Sequence, residues 1–152
     1  MSGACRFLKE CEDAKQLSDD PDTQVACVFV GSGDVILSRG SNTLVRGCPR
    51  TEARVTRPGK YKWLEHAERN AIYSAARRGV SLEGAVVYVT LWPCLDCARA
   101  IVQCGAAKVV TPSRPDLQDE RWGAQFRLTH ELFNAVGLPF VFADEAVAEK
   151  GE

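Results

Sequence analysis

Two short motifs carry side chains that can bind a metal ion and move a proton. Residues 66–68 are His-Ala-Glu, and residues 93–97 are Pro-Cys-Leu-Asp-Cys. Thiolates and imidazole are ligands that zinc prefers, so His66, Cys94 and Cys97 make a two-sulfur, one-nitrogen set. Three protein ligands leave the fourth tetrahedral position open, which is typical of a catalytic zinc site. We therefore expect one zinc ion per chain.

Each motif stands where a helix is predicted to begin. Residues 67–78 are rich in alanine and are followed by a glycine, which predicts a helix with a glycine C-cap. Pro93 marks the start of a second helix over residues 94–104. Cys94 and Cys97 share a face of its first turn, and a helix N-terminus stabilises thiolates. A strand predicted over residues 85–90 would bring the two helix starts side by side.

Glu68 is the candidate proton shuttle. Two residues of helix correspond to about 200° of rotation, so Glu68 cannot share a face with His66 inside a helix. We therefore predict that His66 stands at the very start of its helix, where Glu68 can reach a water molecule at the open zinc position. There zinc would lower the pKa of the water, and Glu68 would take its proton and pass it to a substrate nitrogen.

The remaining elements are predicted from hydrophobic periodicity and turn residues. From the N-terminus they are a helix over 4–17, strands over 25–30 and 35–38, a long loop over 40–62, a strand over 108–111, a helix over 120–136, a strand over 140–142 and a frayed acidic tail over 144–152. This order predicts an α/β fold, with a mixed sheet and helices on both of its faces, in a single domain spanning residues 1–152.

The composition is that of a globular protein with balanced charge. Its 152 residues include 19 Lys and Arg against 20 Asp and Glu, a net charge of −1, which argues against a basic nucleic-acid binder. The apolar runs are far below the roughly 18 residues that span a bilayer, which argues against a membrane partner. The N-terminus lacks an apolar signal-peptide core, and seven cysteines are an odd number for a disulfide framework. We therefore expect a cytoplasmic chain with reduced or metal-bound thiols.

Four segments resemble the deoxycytidylate deaminase family, within the zinc-dependent cytidine and deoxycytidylate deaminase superfamily. In order and spacing they are residues 20–30 (DPDTQVACVFV), 60–72 (KYKWLEHAERNAI), 88–94 (YVTLWPC) and 132–140 (LFNAVGLPF). His-x-Glu followed by Pro-Cys-x-x-Cys is the pattern of the zinc nucleobase deaminases. The resemblance implies a three-layer α/β/α sandwich around a five-stranded mixed sheet, one catalytic zinc, and a homo-oligomer. It also implies hydrolytic loss of ammonia from the cytosine ring of a small nucleotide.

We also predict a substrate-binding set, of which the resemblance implies one member, Asn42. The set consists of Asn42, Arg46, Ala67 and Trp92. Asn42 matches an asparagine of the family's Gly-Tyr-Asn-Gly loop, and the alternative is an ordinary turn asparagine. Here residues 40–47 are Gly-Ser-Asn-Thr-Leu-Val-Arg-Gly, so the loop departs from the family pattern on both sides of Asn42.

Arg46 opens a basic stretch with two interpretations. Residues 46–62 hold six basic residues and one acidic residue, namely Arg46, Arg50, Arg54, Arg57, Lys60 and Lys62 against Glu52. Arginine matches phosphate oxygens bidentately, so the stretch is either a phosphate clamp beside the pocket or a solvated loop. Tyr61, Trp63 and Trp92 offer stacking surfaces for a ring, or else belong to the core.

We predict a hydrolytic zinc deaminase that acts on a cytosine nucleotide similar to deoxycytidylate. The substrate alternatives are another nucleoside, a free base or a purine. A nucleic-acid-editing deaminase is a second alternative, and the net charge argues against it. A non-enzymatic zinc module would give Glu68 no role, and a redox Cys-x-x-Cys would leave residues 66–68 unexplained.

Overall fold

Buried side chains alternate between two cores along the first strand, β1 (Ala26–Val30). Cys27 and Phe29 belong to one core, and Ala26, Val28 and Val30 belong to the other. Because successive side chains of a strand point to opposite faces of a sheet, both faces of this sheet must be covered. The computed structural model, which describes residues 3–148, has helices on both faces.

The central sheet has five strands in the order β2-β1-β5-β6-β7. The strands after β1 are β2 (Ile36–Ser41), β3 (Thr43–Leu44), β4 (Leu64–Glu65), β5 (Val86–Val89), β6 (Lys108–Thr111) and β7 (Phe140–Phe142). β1 pairs antiparallel with β2 and β5, whereas β5, β6 and β7 are parallel. β3 and β4 form a separate antiparallel pair. The predicted five-stranded mixed sheet is therefore confirmed.

Seven helices surround the sheet within residues 3–148. They are α1 (Gly3–Ala14), α2 (Glu52–Val55), α3 (Lys60–Trp63), α4 (Ala67–Arg78), α5 (Leu95–Gln103), α6 (Gly123–Val136) and α7 (Ala143–Ala148). Phe7 and Cys11 of α1 pack on one face of the sheet. Ala71 of α4, Ile101 of α5 and Phe133 of α6 pack on the other face, which confirms the three-layer sandwich. None of these helices has the length and apolar character needed to cross a membrane.

The predicted long loop over residues 40–62 is wrong in part, because it contains regular structure. β2 continues to Ser41, and β3 pairs with β4 in the register Thr43 to Glu65 and Leu44 to Leu64. The single turns α2 and α3 lie between these two strands. Neither feature has a local signal, because a two-residue strand forms only when its distant partner is in place and a one-turn helix is too short for periodicity.

The predicted acidic tail is also corrected. Residues 143–148 form α7, and Glu145 forms an ion pair with Arg114 that no local pattern reveals. The backbone N–H of Asp144 donates to the carbonyl of Pro112 at 3.0 Å, which joins the start of α7 to the segment after β6. The rest of the predicted tail, residues 149–152, lies outside the described residues.

Gly40 lets α4 approach β2 closely, and this contact gives our first prediction. A Cβ at position 40 would overlap the Ala67 carbonyl oxygen and lie 2.5 Å from the Ala71 nitrogen. We therefore expect Gly40→Ala to lower the free energy of unfolding by about 1–3 kcal/mol, the usual cost of overpacking. Gly3→Ala is the control, since nothing lies within 4 Å of a Cβ there. Chemical denaturation measures both variants, and equal stabilities would contradict the prediction.

Candidate metal centre and active site

His66 occupies the residue just before α4. Its backbone is extended, with φ −73° and ψ 152°, so it stands at the N-cap and outside the helical rotation. Glu65 fixes this position, because its Oε1 accepts the His66 backbone N–H at 2.9 Å and the Arg69 Nε–H at 2.7 Å. The prediction that His66 stands at the very start of its helix is confirmed.

Cys94 has the equivalent place before α5. It is the N-cap of that helix, with φ −69° and ψ 167°, and Cys97 lies in the first turn. Both cysteines are buried, and Cys97 is fully so. The helix predicted over 94–104 is therefore confirmed apart from its terminal residues, which are caps.

The three predicted ligand atoms lie close together. Nδ1 of His66 lies 3.5 Å from Sγ of Cys94 and 3.5 Å from Sγ of Cys97. A tetrahedral zinc ion with Zn–S of about 2.3 Å and Zn–N of about 2.0 Å separates its sulfur and nitrogen ligands by about 3.5 Å. The set therefore fits zinc, and no further His, Cys, Asp or Glu joins it within residues 3–148. One coordination position remains for water or substrate.

Hydrogen bonds shift the pKa values of the two thiols in opposite directions. Hydrogen bonds from Cys97 and His66 hold the pKa of Cys94 below that of an ordinary thiol, although burial opposes this. The same bond between the two sulfurs raises the pKa of Cys97, and burial adds to it. Both thiols must be deprotonated when they bind zinc.

Glu68 faces the same centre from the first turn of α4. It is 4% exposed, and burial raises the pKa of its carboxyl group, although His66 opposes the shift. A raised pKa suits a carboxyl group to accept a proton and to return it.

A cavity opens in front of these residues. Its volume is about 720 Å³ including space open to solvent, and His66, Glu68 and Cys94 line it. The cavity lies beyond the carboxyl ends of β5 and β6, where open α/β sheets commonly bind ligands.

Sequence comparison identifies the family to which this arrangement belongs. The family described as the cytidine and deoxycytidylate deaminase zinc-binding region matches residues 1–113. This chain is a member of that deaminase family. The deaminase is therefore a zinc-binding enzyme, and its three candidate ligands, His66, Cys94 and Cys97, lie close together.

Similar proteins and a solved structure support this family membership. The deaminase is 35% identical over 135 residues to an "uncharacterized deaminase in luxG 3'region" of Aliivibrio fischeri, covering 89% of each chain. It is 33% identical over 132 residues to the Homo sapiens deoxycytidylate deaminase, covering 82% of this chain and 70% of that one. The structure of the cyanophage S-TIM5 dCMP deaminase in complex with dCMP and dUMP has a TM-score of 0.70 and 25% identity, over 90% of this chain and 93% of that one.

The structure brings only part of the predicted substrate-binding set to the cavity. Asn42 and Trp92 line it, whereas Arg46 is exposed and Ala67 is completely buried, and neither is among the lining residues. Of the predicted aromatic surfaces, Tyr61 lines the cavity and Trp63 does not.

Asn42 also has a role within the chain. Its Oδ1 accepts hydrogen bonds from Ser18 Oγ at 2.6 Å and from the Val25 N–H at 2.9 Å, and its Nδ2 donates to the Thr23 carbonyl at 2.8 Å. One N–H of the amide is left over for a ligand. Asn42 therefore holds the segment before β1 in place while facing the cavity.

Several lining residues were not predicted, among them a cation and an aromatic ring. Arg121 and Trp122 come just before α6 and reach the cavity from the segment after β6. The Trp122 ring meets His66 edge-on, with 6.1 Å between ring centroids, and meets Tyr61 at 6.4 Å. The available signal was their place in the segment that follows a central parallel strand, since such segments carry ligand-binding residues in α/β folds.

The metal centre gives the second prediction. The purified protein is expected to contain about one zinc per chain, because three donors fit the ion. Cys94→Ser and Cys97→Ser should each lose most of it, since serine is a poor zinc ligand at neutral pH, and metal analysis measures the content. Zinc should also leave as the pH falls, because protons compete for both thiolates. A metal-free protein after purification without chelators would contradict this prediction.

Proposed function

We propose that the chain is a deoxycytidylate deaminase, in which water replaces the amino group of the cytosine ring and ammonia leaves. Glu68 carries the proposal, because it is buried, lines the cavity beside His66 and Cys94, and takes no place among the metal ligands. A structural zinc site has no use for such a carboxylate. The relatives named deoxycytidylate deaminase support the choice of substrate.

His66, Cys94 and Cys97 hold the zinc in this proposal. When bound, zinc would act as a Lewis acid and lower the pKa of a water molecule, so that the water can lose a proton near neutral pH. A carboxylate oxygen of Glu68 accepts the proton of the attacking water and delivers it to a ring nitrogen, and then assists the departure of ammonia. One C–O bond forms and one C–N bond breaks, so the reaction needs no redox partner.

The charges around the cavity support a phosphorylated substrate. Three cationic side chains line it, namely Arg57, Lys60 and Arg121. Lys60 is 4% exposed, and its ammonium group donates to both oxygens of Asp20 at 3.0 Å and to Asp22 at 3.1 Å. Burial alone would lower the pKa of Lys60, but these bonds outweigh it and raise the pKa. All three N–H donors are used, so Lys60 has none for a phosphate.

Arg121 is the cation best placed for the phosphate. Arg57 lies 3.7 Å from Asp22, so its charge is partly compensated. Within residues 3–148 no carboxylate lies within 4.0 Å of the Arg121 guanidinium, whose Cζ lies 5.5 Å from the centre of the Tyr61 ring. We therefore assign the phosphate to Arg121, assisted by Arg57, in place of the predicted Arg46.

Editing of a nucleic-acid strand is not favoured. The net charge is −1, and most of the basic residues predicted as a clamp have partners of their own. Arg50 pairs with Asp19 at 3.0 Å, and Arg54 lies over Trp63 at 4.6 Å. Part of the positive charge of this stretch is therefore compensated, which leaves less of it to follow a backbone.

Assembly and location stay predictions from the sequence. A homo-oligomer is expected from the family resemblance, and light scattering during size-exclusion chromatography measures its mass. A cytoplasmic location remains an expectation, and cell fractionation tests it.

The third prediction concerns Glu68→Gln, which keeps the size of the side chain and removes its ability to accept a proton. The kcat for release of ammonia from deoxycytidylate should fall by about 10²–10⁴, since one acid–base group contributes that much. Zinc content should equal that of the wild type, because Glu68 is not a ligand. A variant that retains zinc and near wild-type turnover would refute the proton shuttle. If the wild type releases ammonia from no base, nucleoside or nucleotide, the deaminase proposal itself fails.

The fourth prediction separates the two candidate phosphate contacts. Arg121→Ala should raise the KM for deoxycytidylate by about 10-fold or more, as expected for the loss of a charge-assisted contact, and should leave deoxycytidine nearly unchanged. The effect should shrink at high salt, because the contact is near the surface. Arg46→Ala removes the same charge outside the cavity and should have little effect. A larger rise of the KM for deoxycytidylate in Arg46→Ala than in Arg121→Ala would contradict this assignment and support Arg46 as the phosphate contact.

A further inference from the structure

Helix α6 is hydrogen-bonded to the segment that carries Cys94. The three bonds run from Trp92 Nε1 to the Phe126 carbonyl at 3.3 Å, from the Leu95 N–H to Gln125 Oε1 at 3.1 Å, and from Thr129 Oγ1 to the Pro93 carbonyl at 2.9 Å. Residues on both sides of Cys94 are therefore tied to one helix that contributes no metal ligand itself.

The segment around Cys94 needs external support. Residues 91–93 lie between β5 and α5, and no backbone hydrogen bond joins them to a strand or a helix, whereas Thr90 still bonds Ala26 and the Cys94 carbonyl accepts the Ala98 N–H. Pro93 has no N–H to donate, and the Leu95 N–H is one of the first helical donors without a partner inside the helix. Gln125 and Thr129 provide the missing partners for this segment.

The Thr129 bond is the least replaceable of the three. Thr129 is completely buried, and Pro93 is also among the fully buried residues. Without the hydroxyl, the Pro93 carbonyl would lose this hydrogen bond in a place that water does not reach easily, which is costly. Trp92 adds a packing contact, because its ring stacks on His130 of the same helix with centroids 4.5 Å apart.

His66 and the segment that carries Cys94 are thus held in place by different contacts. His66 is fixed by Glu65 on its own side, and Cys94 is fixed from α6. A shift of the Pro93 backbone would change the 3.5 Å separation between Cys94 Sγ and His66 Nδ1, which zinc requires.

We propose that α6 positions Cys94 for zinc, with Thr129 and Gln125 as positioning residues. Groups that orient metal ligands in this way typically change metal affinity by about 10–100-fold when removed. The inference depends on zinc binding and is independent of the identity of the substrate.

The test is zinc affinity, measured by competition between the zinc-loaded protein and a chromogenic chelator. Thr129→Val keeps the shape of the side chain and removes the hydroxyl, so zinc affinity should fall by about 10-fold or more. Thr129→Ser retains the hydroxyl and should restore affinity to within about 3-fold of the wild type, which a role in packing alone would not produce.

Thr111→Val is the matched control. Thr111 is 1% exposed, and its hydroxyl donates to the Ser113 carbonyl at 3.2 Å, so the same substitution removes the same kind of bond from β6. Its melting temperature should fall, with zinc affinity unchanged. Equal losses of zinc affinity in Thr111→Val and Thr129→Val, or no loss in Thr129→Val, would overturn the proposal.

Gln125→Leu keeps the proposal testable if Thr129→Val does not fold. Gln125 is only partly buried, so its replacement is less disruptive, while the Leu95 N–H still loses its acceptor. Weaker zinc binding in this variant supports the role of α6. Wild-type zinc affinity in a folded Gln125→Leu protein, with Thr129→Val unable to fold, would refute it. Deaminase activity enters none of these measurements, so their failure is distinct from failure of the proposed function.

Discussion

Nδ1 of His66 must lie 3.5 Å from the sulfur atoms of Cys94 and Cys97, although these cysteines are 28 and 31 positions away from His66 in the sequence. The rest of the fold has to meet this requirement. No local structure can bring His66 to Cys94 and Cys97. The approach is made by two helices that begin at the same end of the sheet, with β5 between them in the chain. Because both ligand residues before the helices are N-caps with extended backbones, their side chains are free to turn toward the shared point. The small residues Gly40 and Ala71 then allow α4 to lie close to β2.

Electrostatics at the cavity follow from the cost of burying charge. Lys60 and Asp20 are both less than 10% exposed, and such groups are tolerated only as a hydrogen-bonded pair. Glu68 is equally buried but has no such partner, so the pKa of its carboxyl group rises. The same desolvation thus acts on a hydrogen-bonded ion pair on one side of the cavity and on a carboxyl group without an ion-pair partner on the other. In the proposed reaction, that second group is the proton carrier.

The core beside the metal centre has a second function in this view. Trp92 is packed among aromatic side chains of α6 and β7, with Phe133 at 5.5 Å and Phe140 at 5.0 Å between ring centroids. This packing continues into the hydrogen bonds that Thr129 and Gln125 make to the Cys94 segment. Hydrophobic burial therefore stabilises the fold and at the same time limits movement of a metal ligand.

The metal ligands, Glu68 and the helices that carry them were predictable from sequence alone, because their signals are local. The motifs His-x-Glu and Cys-x-x-Cys indicate the ligand chemistry. A helix rich in alanine and followed by glycine has boundaries that can be predicted from sequence, as α4 and Gly79 show. The cavity-lining residues were predicted only in part, because Asn42 and Trp92 line the cavity but the predicted Arg46 and Ala67 do not. Arg46 is in a conspicuously basic stretch but lies outside the cavity, whereas Arg121 is isolated in sequence and lines it. A side chain's chemistry is a property of the residue, but whether its charge is compensated depends on neighbours that only the tertiary structure supplies.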